Sequence, residues 1–190
     1  MLDEITNHLE LSGLLRPRCK ENDVCVTVCD ELLENGLLRH DLIAILKIDA
    51  YFSSKRIHNP SQSIDCLIII KTGEREFGLT LVELRKAPTS GRARRLKSGV
   101  IKPKFDNTIA GFLSNGFADI FMNPDFTISY FRLWVVSNRY GSSLSSEQER
   151  KKARAARLEA DMKNECKFMG KIFPIQRMSL DQARVCTDLT

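Results

Sequence analysis

Long apolar runs are missing from this chain. Among its 190 residues there is no stretch of roughly eighteen uncharged apolar residues, the length that a membrane-spanning helix needs. The opening segment, MLDEITNHLELSG, carries acidic groups where a secretory signal has a basic start and an apolar centre. We therefore expect a cytoplasmic protein that does not contact a membrane.

Cysteine motifs for metal binding are missing as well. The six cysteines are scattered, lie largely inside apolar segments and form no CxxC pair. Cys25 and Cys29 are one helical turn apart, but no second ligand pair accompanies them, so the spacing does not indicate zinc. In a cytoplasmic protein we expect these thiols to be reduced and buried.

Composition and pattern predict one domain over residues 1–190. Hydrophobic residues make up 43% of the chain, enough to bury an ordinary core. We expect N-terminal helices within 1–40, the core of the domain over about 42–138, and a C-terminal helix and edge strand within 145–190. The predicted fold class is α/β, with a mixed central sheet flanked by helices.

A central hairpin is the strongest element prediction. IDCLIIIK and FGLTLVELR are rich in β-branched and apolar residues and are separated by the turn segment TGERE. The apolar run at 67–70 is typical of a strand covered on both faces. The remaining predictions are helices at 1–13, 23–33, 105–113, 145–163 and 179–186, and strands at 46–53, 129–138 and 166–176.

Lone carboxylates mark the ends of the two hairpin strands. A turn centred near Gly73 and Glu74 places Asp65 opposite Glu83, with Cβ atoms about 5 Å apart. Like charges in this arrangement are destabilising unless a cation lies between them, and carboxylates suit a hard divalent ion. The alternative is that both acids only mark strand ends, with Glu83 paired to Arg85.

Acidic residues are absent between Leu84 and Phe105. The same segment holds eight basic residues, so it repels itself unless an anion lies against it. A solvated loop and a polyanion contact are both open, and the position directly after Glu83 favours the polyanion. The residues expected to contact nucleic acid are Arg92, Arg94, Arg95, Lys97 and Lys102.

This order of residues resembles the core of the PD-(D/E)XK nuclease superfamily. The resemblance covers roughly 42–138: Asp65, a hairpin, Glu83-Leu84-Arg85, then KFDNTIAGFL and FRLWVVSN. It implies a restriction-endonuclease-like fold that hydrolyses phosphodiester bonds with Mg²⁺, for which Mn²⁺ substitutes. DNA is favoured over RNA as the substrate, and a homodimer or larger complex is left open.

The resemblance also implies roles for individual residues. Asp65 and Glu83 would hold the metal together with the backbone carbonyl of Leu84, and the metal would activate a water molecule. Ile64 stands where the motif has proline. Arg85 stands where the motif has lysine, and because arginine keeps its proton it can stabilise charge but cannot act as a base.

Lysines nearby could replace the missing one. Lys86 is adjacent, although strand alternation directs it to the other face unless a bulge intervenes. Lys104 could reach back from the following helix. We expect Lys86 to fill the role before Lys104, with Arg85 kept as a charge stabiliser. If neither lysine does, the chain is a catalytically impaired module that binds nucleic acid or a protein partner without cleaving.

Further ligands are expected from the N-terminal region. A third carboxylate often comes from an early helix in this superfamily, and Glu31 or Glu34 could supply it. His40 resembles an upstream metal-binding histidine of some members. For both acids, however, a solvated helix face is the favoured interpretation, and for the histidine a structural role is favoured.

Overall fold

Short elements occupy the N-terminal part of the protein. The structure, a computed structural model, describes residues 1–54, 63–86, 98–138 and 164–187. The predicted first helix is two helices, α1 (Leu2–Asn7) and α2 (Leu9–Ser12), because the backbone at His8 is extended and its ring nitrogen caps α2. The strands that follow are β1 (Lys20–Glu21), β2 (Val24–Cys25), β3 (Thr27–Val28), β4 (Leu33–Glu34) and β5 (Leu37–Leu38).

The helix predicted over 23–33 is therefore wrong. A 3-10 turn at Asp30–Leu32 is its only helical part. Asn22 has a φ of 52° in the turn between β1 and β2, and Asn35 and Gly36 have φ of 53° and 77° between β4 and β5. Asn-Gly is the preferred pair for a tight hairpin turn, so Gly36 closes a hairpin here instead of ending a helix.

A six-stranded mixed sheet forms the centre of the fold. Its strands are β6 (Ile43–Lys47), β7 (Cys66–Lys71), β8 (Glu76–Arg85), β9 (Thr127–Ser137), β10 (Glu165–Phe168) and β11 (Lys171–Met178). The spatial order is β10-β11-β9-β8-β7-β6. The pairings β6–β7, β7–β8 and β10–β11 are antiparallel, whereas β8–β9 and β9–β11 are parallel. The α/β class and the central hairpin are confirmed.

Helices connect the strands on one side of the sheet. They are α3 (Ile48–Ser54), α4 (Ser98–Asn107) and α5 (Ala118–Phe121), with a π-helical segment, Thr108–Gly116, continuing α4. Of the strand predicted over 46–53, only the first two residues belong to a strand, β6, which ends at Lys47. The residues that follow form α3. α4 and the segments after it form the crossover that parallel pairing of β8 and β9 requires. No helix within the described ranges is long and apolar enough to cross a membrane.

Both faces of the sheet are covered, as expected for residues 67–70, which are fully buried. Leu67 and Ile69 belong to the core cluster that includes Phe105 of α4. Ile68 and Ile70 belong to a second cluster on the opposite face, formed with the N-terminal hairpins. The β1–β2 hairpin and α4 therefore lie on opposite faces of the same strands.

The C-terminal part differs from the prediction. Residues 166–176 belong to two strands, with β10 at the sheet edge. Pro174 lies in the half of β11 that pairs with β10, and parallel pairing with β9 starts at Ile175. The helix predicted at 179–186 is replaced by turns and a short strand, β12 (Arg184–Val185), which pairs with β3. The predicted helix at 145–163 lies outside the described residues.

Four cysteines are paired, contrary to the expectation of reduced thiols. Cys19 is joined to Cys66 and Cys29 to Cys186, while Cys25 and Cys166 are free. The partners are 47 and 157 residues apart, so spacing in the sequence does not reveal them. Because disulfides persist mainly in oxidising compartments, a cytoplasmic location stays a prediction.

We predict that Gly78→Ala destabilises the fold. Gly78 lies in β8 opposite Tyr130 of β9, and a Cβ atom at this position would overlap the tyrosine ring. Urea denaturation should show a loss of about 1–3 kcal/mol in the free energy of unfolding. At Gly13 a Cβ meets only ordinary contact, with the Glu10 carbonyl at 3.5 Å. Equal effects of Gly78→Ala and Gly13→Ala would contradict the packing argument.

Candidate active site

The hairpin register brings the two strand-end carboxylates together. β7 and β8 pair from Lys71 opposite Phe77 to Cys66 opposite Val82, and Asp65 is the residue directly before this ladder. The Asp65 amide donates to the carbonyl of Val82, the residue before Glu83, at 3.1 Å. Asp65 and Glu83 therefore lie at the same end of the hairpin and line one cavity.

Asp65 is held by the backbone of the strand opposite. Its side chain accepts a hydrogen bond at Oδ2 from the Leu84 amide at 2.6 Å, and the residue is only 7% exposed. Lys47, at the end of β6, places its Nζ 4.0 Å from Oδ1 and closer, at 3.2 Å, to Asp49. One carboxylate oxygen is therefore anchored, and within the described part of the chain the cation nearest the other, Lys47, is 4.0 Å away.

Glu83 is contacted by two cations. It is 1% exposed, and the Nζ of Lys104 lies 2.8 Å from Oε1 and 3.1 Å from Oε2. The Nη2 of Arg85 lies 2.7 Å from the same Oε1. Lys104 arrives from α4, whereas Arg85 follows two positions later in β8 and so shares the face of Glu83. A buried carboxylate with charged hydrogen-bond donors of this kind is compensated.

The two candidate lysines have different partners. Lys86 pairs with the exposed Asp23 at 2.9 Å, and its side chain is 49% exposed. Strand alternation, with no bulge at this point of β8, explains why its amine does not reach Glu83. The lysine amine that contacts Glu83 therefore belongs to Lys104, whereas Lys86 was expected before it.

A cavity of about 270 Å³ lies over these groups. It is lined by the predicted Asp65, Glu83, Leu84, Arg85, Lys86 and Lys104, and also by Glu21 and Asn22. Glu21 precedes the helix predicted over 23–33 and is absent from the predicted site because the β1–β2 hairpin is not predicted from the sequence. The turn formers Asn22 and Asp23 directly after it were the available signal.

Several other predicted residues lie elsewhere. Glu34 and His40 are exposed and do not line this cavity. Glu31 accepts a hydrogen bond from the Thr187 amide at 3.2 Å. Lys102 pairs with Asp106 within α4 at 2.6 Å. The other expected nucleic-acid contacts, Arg92, Arg94, Arg95 and Lys97, lie outside the described residues.

The two acids differ in electrostatic environment. Burial, followed by the charge of Glu83, raises the pKa of Asp65 to about 7. The hydrogen bond from the Leu84 amide and the charge of Lys104 act in the opposite direction and lower this pKa. Burial also raises the pKa of Glu83, against the hydrogen bond and charge of Lys104 and the charge of Arg85. Because both short cation contacts are made by Glu83, we assign the proton of this pair at neutral pH to Asp65.

The donor set fits a hard divalent cation. Two buried carboxylates facing one cavity offer oxygen ligands of the kind that Mg²⁺ and Mn²⁺ take, and Glu21 adds a third acid at the rim. A bound ion would displace the proton from Asp65 and would compete with Lys104 and Arg85 for the oxygens of Glu83. The arrangement therefore suits metal binding that releases a proton.

Comparisons of the chain with protein-family models, curated proteins and solved structures gave no match. The site therefore has to be interpreted from its own residues.

We predict that Asp65→Asn changes the pH dependence of stability. Between about pH 4 and pH 7 the folded protein keeps a proton on Asp65 that the unfolded chain has released, so stability falls as pH rises through this range. The amide removes this titration and still offers an acceptor to the Leu84 amide. Relative to Asp65→Asn, the wild type should lose stability on the order of a few kcal/mol from pH 5 to pH 8.

Urea denaturation without divalent ions at each pH measures this difference. Glu34→Gln, a change at an exposed acid, serves as the control and should follow the wild-type profile. Parallel profiles for wild type and Asp65→Asn would show that Asp65 titrates normally.

Proposed function

We propose that this protein is a metal-dependent nuclease of the PD-(D/E)XK type, which hydrolyses phosphodiester bonds in nucleic acid, with DNA favoured. The observation that carries the proposal is the convergence of buried Asp65 and Glu83 across a hairpin, with the amine of Lys104 on Glu83. Paired acids beside a lysine are the chemical groups that hydrolysis of a phosphodiester with a divalent ion requires.

The order of elements supports the same proposal. The Asp65 strand β7 and the Glu83 strand β8 form the hairpin, α4 follows, and β9 returns parallel to β8. This is the order of hairpin, helix and strand in which the resemblance was recognised. The crossover through α4 is also what carries Lys104 to Glu83.

Asp65 and Glu83 would hold Mg²⁺, with the Leu84 carbonyl as a candidate third ligand. When bound, the ion would supply an activated water and stabilise negative charge on the phosphate. Lys104 donates hydrogen bonds to Glu83 at the wall of the cavity. It would thereby take the place that the motif gives to the lysine after the glutamate.

Arg85 is suited to contact the phosphate. It remains protonated throughout the physiological range, so it stabilises charge without exchanging a proton. Its Nε is buried and has no hydrogen-bond partner among the described residues, which leaves a donor for a ligand. The basic segment that begins at this residue would extend the contact along the polyanion.

Binding without hydrolysis is the second candidate. It is favoured by the fact that Lys104 and Arg85 already neutralise Glu83, so a divalent ion must compete with two resident cations. A module of this kind would bind nucleic acid in a salt-sensitive manner and leave it intact.

We expect magnesium- or manganese-dependent cleavage in a panel of linear, circular and single-stranded DNA and RNA, and none in EDTA. Asp65→Asn and Glu83→Gln should each lower the rate by about 100-fold or more, as expected when a ligand of the ion that activates water and stabilises charge is lost. Salt-sensitive binding should persist in both variants, since their basic residues are intact. Binding by the wild type with no cleavage in either ion would support the second candidate instead.

Two lysines provide a matched comparison. Lys104→Met should lower the cleavage rate by about 100-fold, whereas Lys86→Met should change it only a few-fold, because the Lys86 amine is paired with Asp23. Circular dichroism would show that both variants are folded. A larger loss for Lys86→Met than for Lys104→Met would mean that the wrong lysine has been assigned.

A further inference from the structure

One disulfide lies directly beside the proposed site. Cys66 is the residue after Asp65 and the first of β7, and it is joined to Cys19, with Cα atoms 5.9 Å apart. Cys19 immediately precedes β1, which ends with Glu21. Both cysteines are buried, at 0% and 1% exposed. The bond therefore links the strand of one site carboxylate to the hairpin of another.

The β1–β2 hairpin reaches the cavity from the face of the sheet opposite to the one that α4 covers. Val24 of β2 packs in the core cluster on that face, and the Val26 amide donates to the Cys19 carbonyl at 3.0 Å. At its tip the recorded side-chain contact to the sheet is the ion pair of Asp23 with Lys86, which is exposed and contributes little. Beside Glu21 the hairpin is thus attached by the core packing of Val24, its partner across the β1–β2 pairing, and by the covalent bond at Cys19.

We propose that the disulfide between Cys19 and Cys66 is a positioning element that holds Glu21 at the wall of the site. The proposal rests on the metal-binding function proposed above and adds how Glu21, the third acid, is kept at that site. With the bond present, the negative charge of Glu21 faces the cavity and adds to its attraction for a divalent ion. Without the bond, the hairpin moves away and this charge is lost from the site.

The second disulfide offers a matched control. Cys29 and Cys186 tie the N-terminal segment to the C-terminal one, where β3 pairs with β12. Neither cysteine lines the cavity of Glu21, Asp65 and Glu83. Loss of this bond removes a cross-link from the chain but should leave the wall of the site in place.

The test is a cycle of Mn²⁺ affinities measured by titration calorimetry on the full chain. Cys19→Ala with Cys66→Ala should weaken Mn²⁺ binding about five-fold, and Glu21→Gln should do the same, as expected for one charge close to the ion. Combined, the changes should give no further loss, because both remove the same charge. Cys29→Ala with Cys186→Ala should leave the affinity unchanged.

Reduction of the wild type gives an independent measurement. Dithiothreitol supplies two electrons and two protons, becomes a cyclic disulfide and leaves Cys19 and Cys66 as thiols, which mass spectrometry counts. Affinity should fall as this pair is reduced. Free thiols at Cys19 and Cys66 in oxidised protein, additive losses in the cycle, or an equal loss in the control pair would each overturn the proposal.

Failure of the proposed function gives a different result. If the wild type does not bind Mn²⁺, the metal site is wrong, and hydrogen exchange decides the positioning claim by itself. Faster exchange confined to residues 20–26 in the Cys19→Ala, Cys66→Ala protein would support it. Unchanged exchange, or a uniform increase over the chain, would overturn it.

Discussion

Two carboxylates buried opposite each other are unfavourable on their own, and the end of the central sheet is arranged around this constraint. Asp65 is stabilised by the Leu84 amide and by a proton near neutral pH, and Glu83 by Lys104 and Arg85. Removing any one of these leaves a charge in a site with little water. Burying two carboxylates lowers the stability of the folded protein, so their arrangement is better explained by a chemical role than by a contribution to stability.

The topology decides which cation can help. Glu83 and Arg85, at the end of β8, lie on one face of the sheet. Lys86 is the next residue, so strand alternation directs its side chain to the other face, away from Glu83. β9 must run parallel to β8, and the chain therefore crosses over through α4 on the face of Glu83. Lys104 arrives with that crossover, in the next described element after β8.

The part of the site that depends on residues close together in the sequence, Asp65 and Glu83, could be predicted from the sequence. The pairing of Asp65 with Glu83 follows from turn position and strand alternation within about twenty residues. Glu21 and Lys104 depend instead on how distant segments pack on the sheet. The helix predicted over 23–33 was wrong for a related reason: Asp23 and Gly36 match the start and end signals of a helix, but Asn35 and Gly36 close the β4–β5 hairpin.

The same two cations explain how one site could be stable when empty and active when loaded. Without a divalent ion, Lys104 and Arg85 compensate Glu83 while Asp65 holds a proton, so no negative charge is left unpaired on either acid. A bound ion would take over the carboxylates and release a proton from Asp65. Lys104 and Arg85 would then be left without their counter-ion exactly where a phosphate would enter. Arginine at position 85 is therefore consistent with activity, since the role left open to it is neutralising charge and not exchanging a proton.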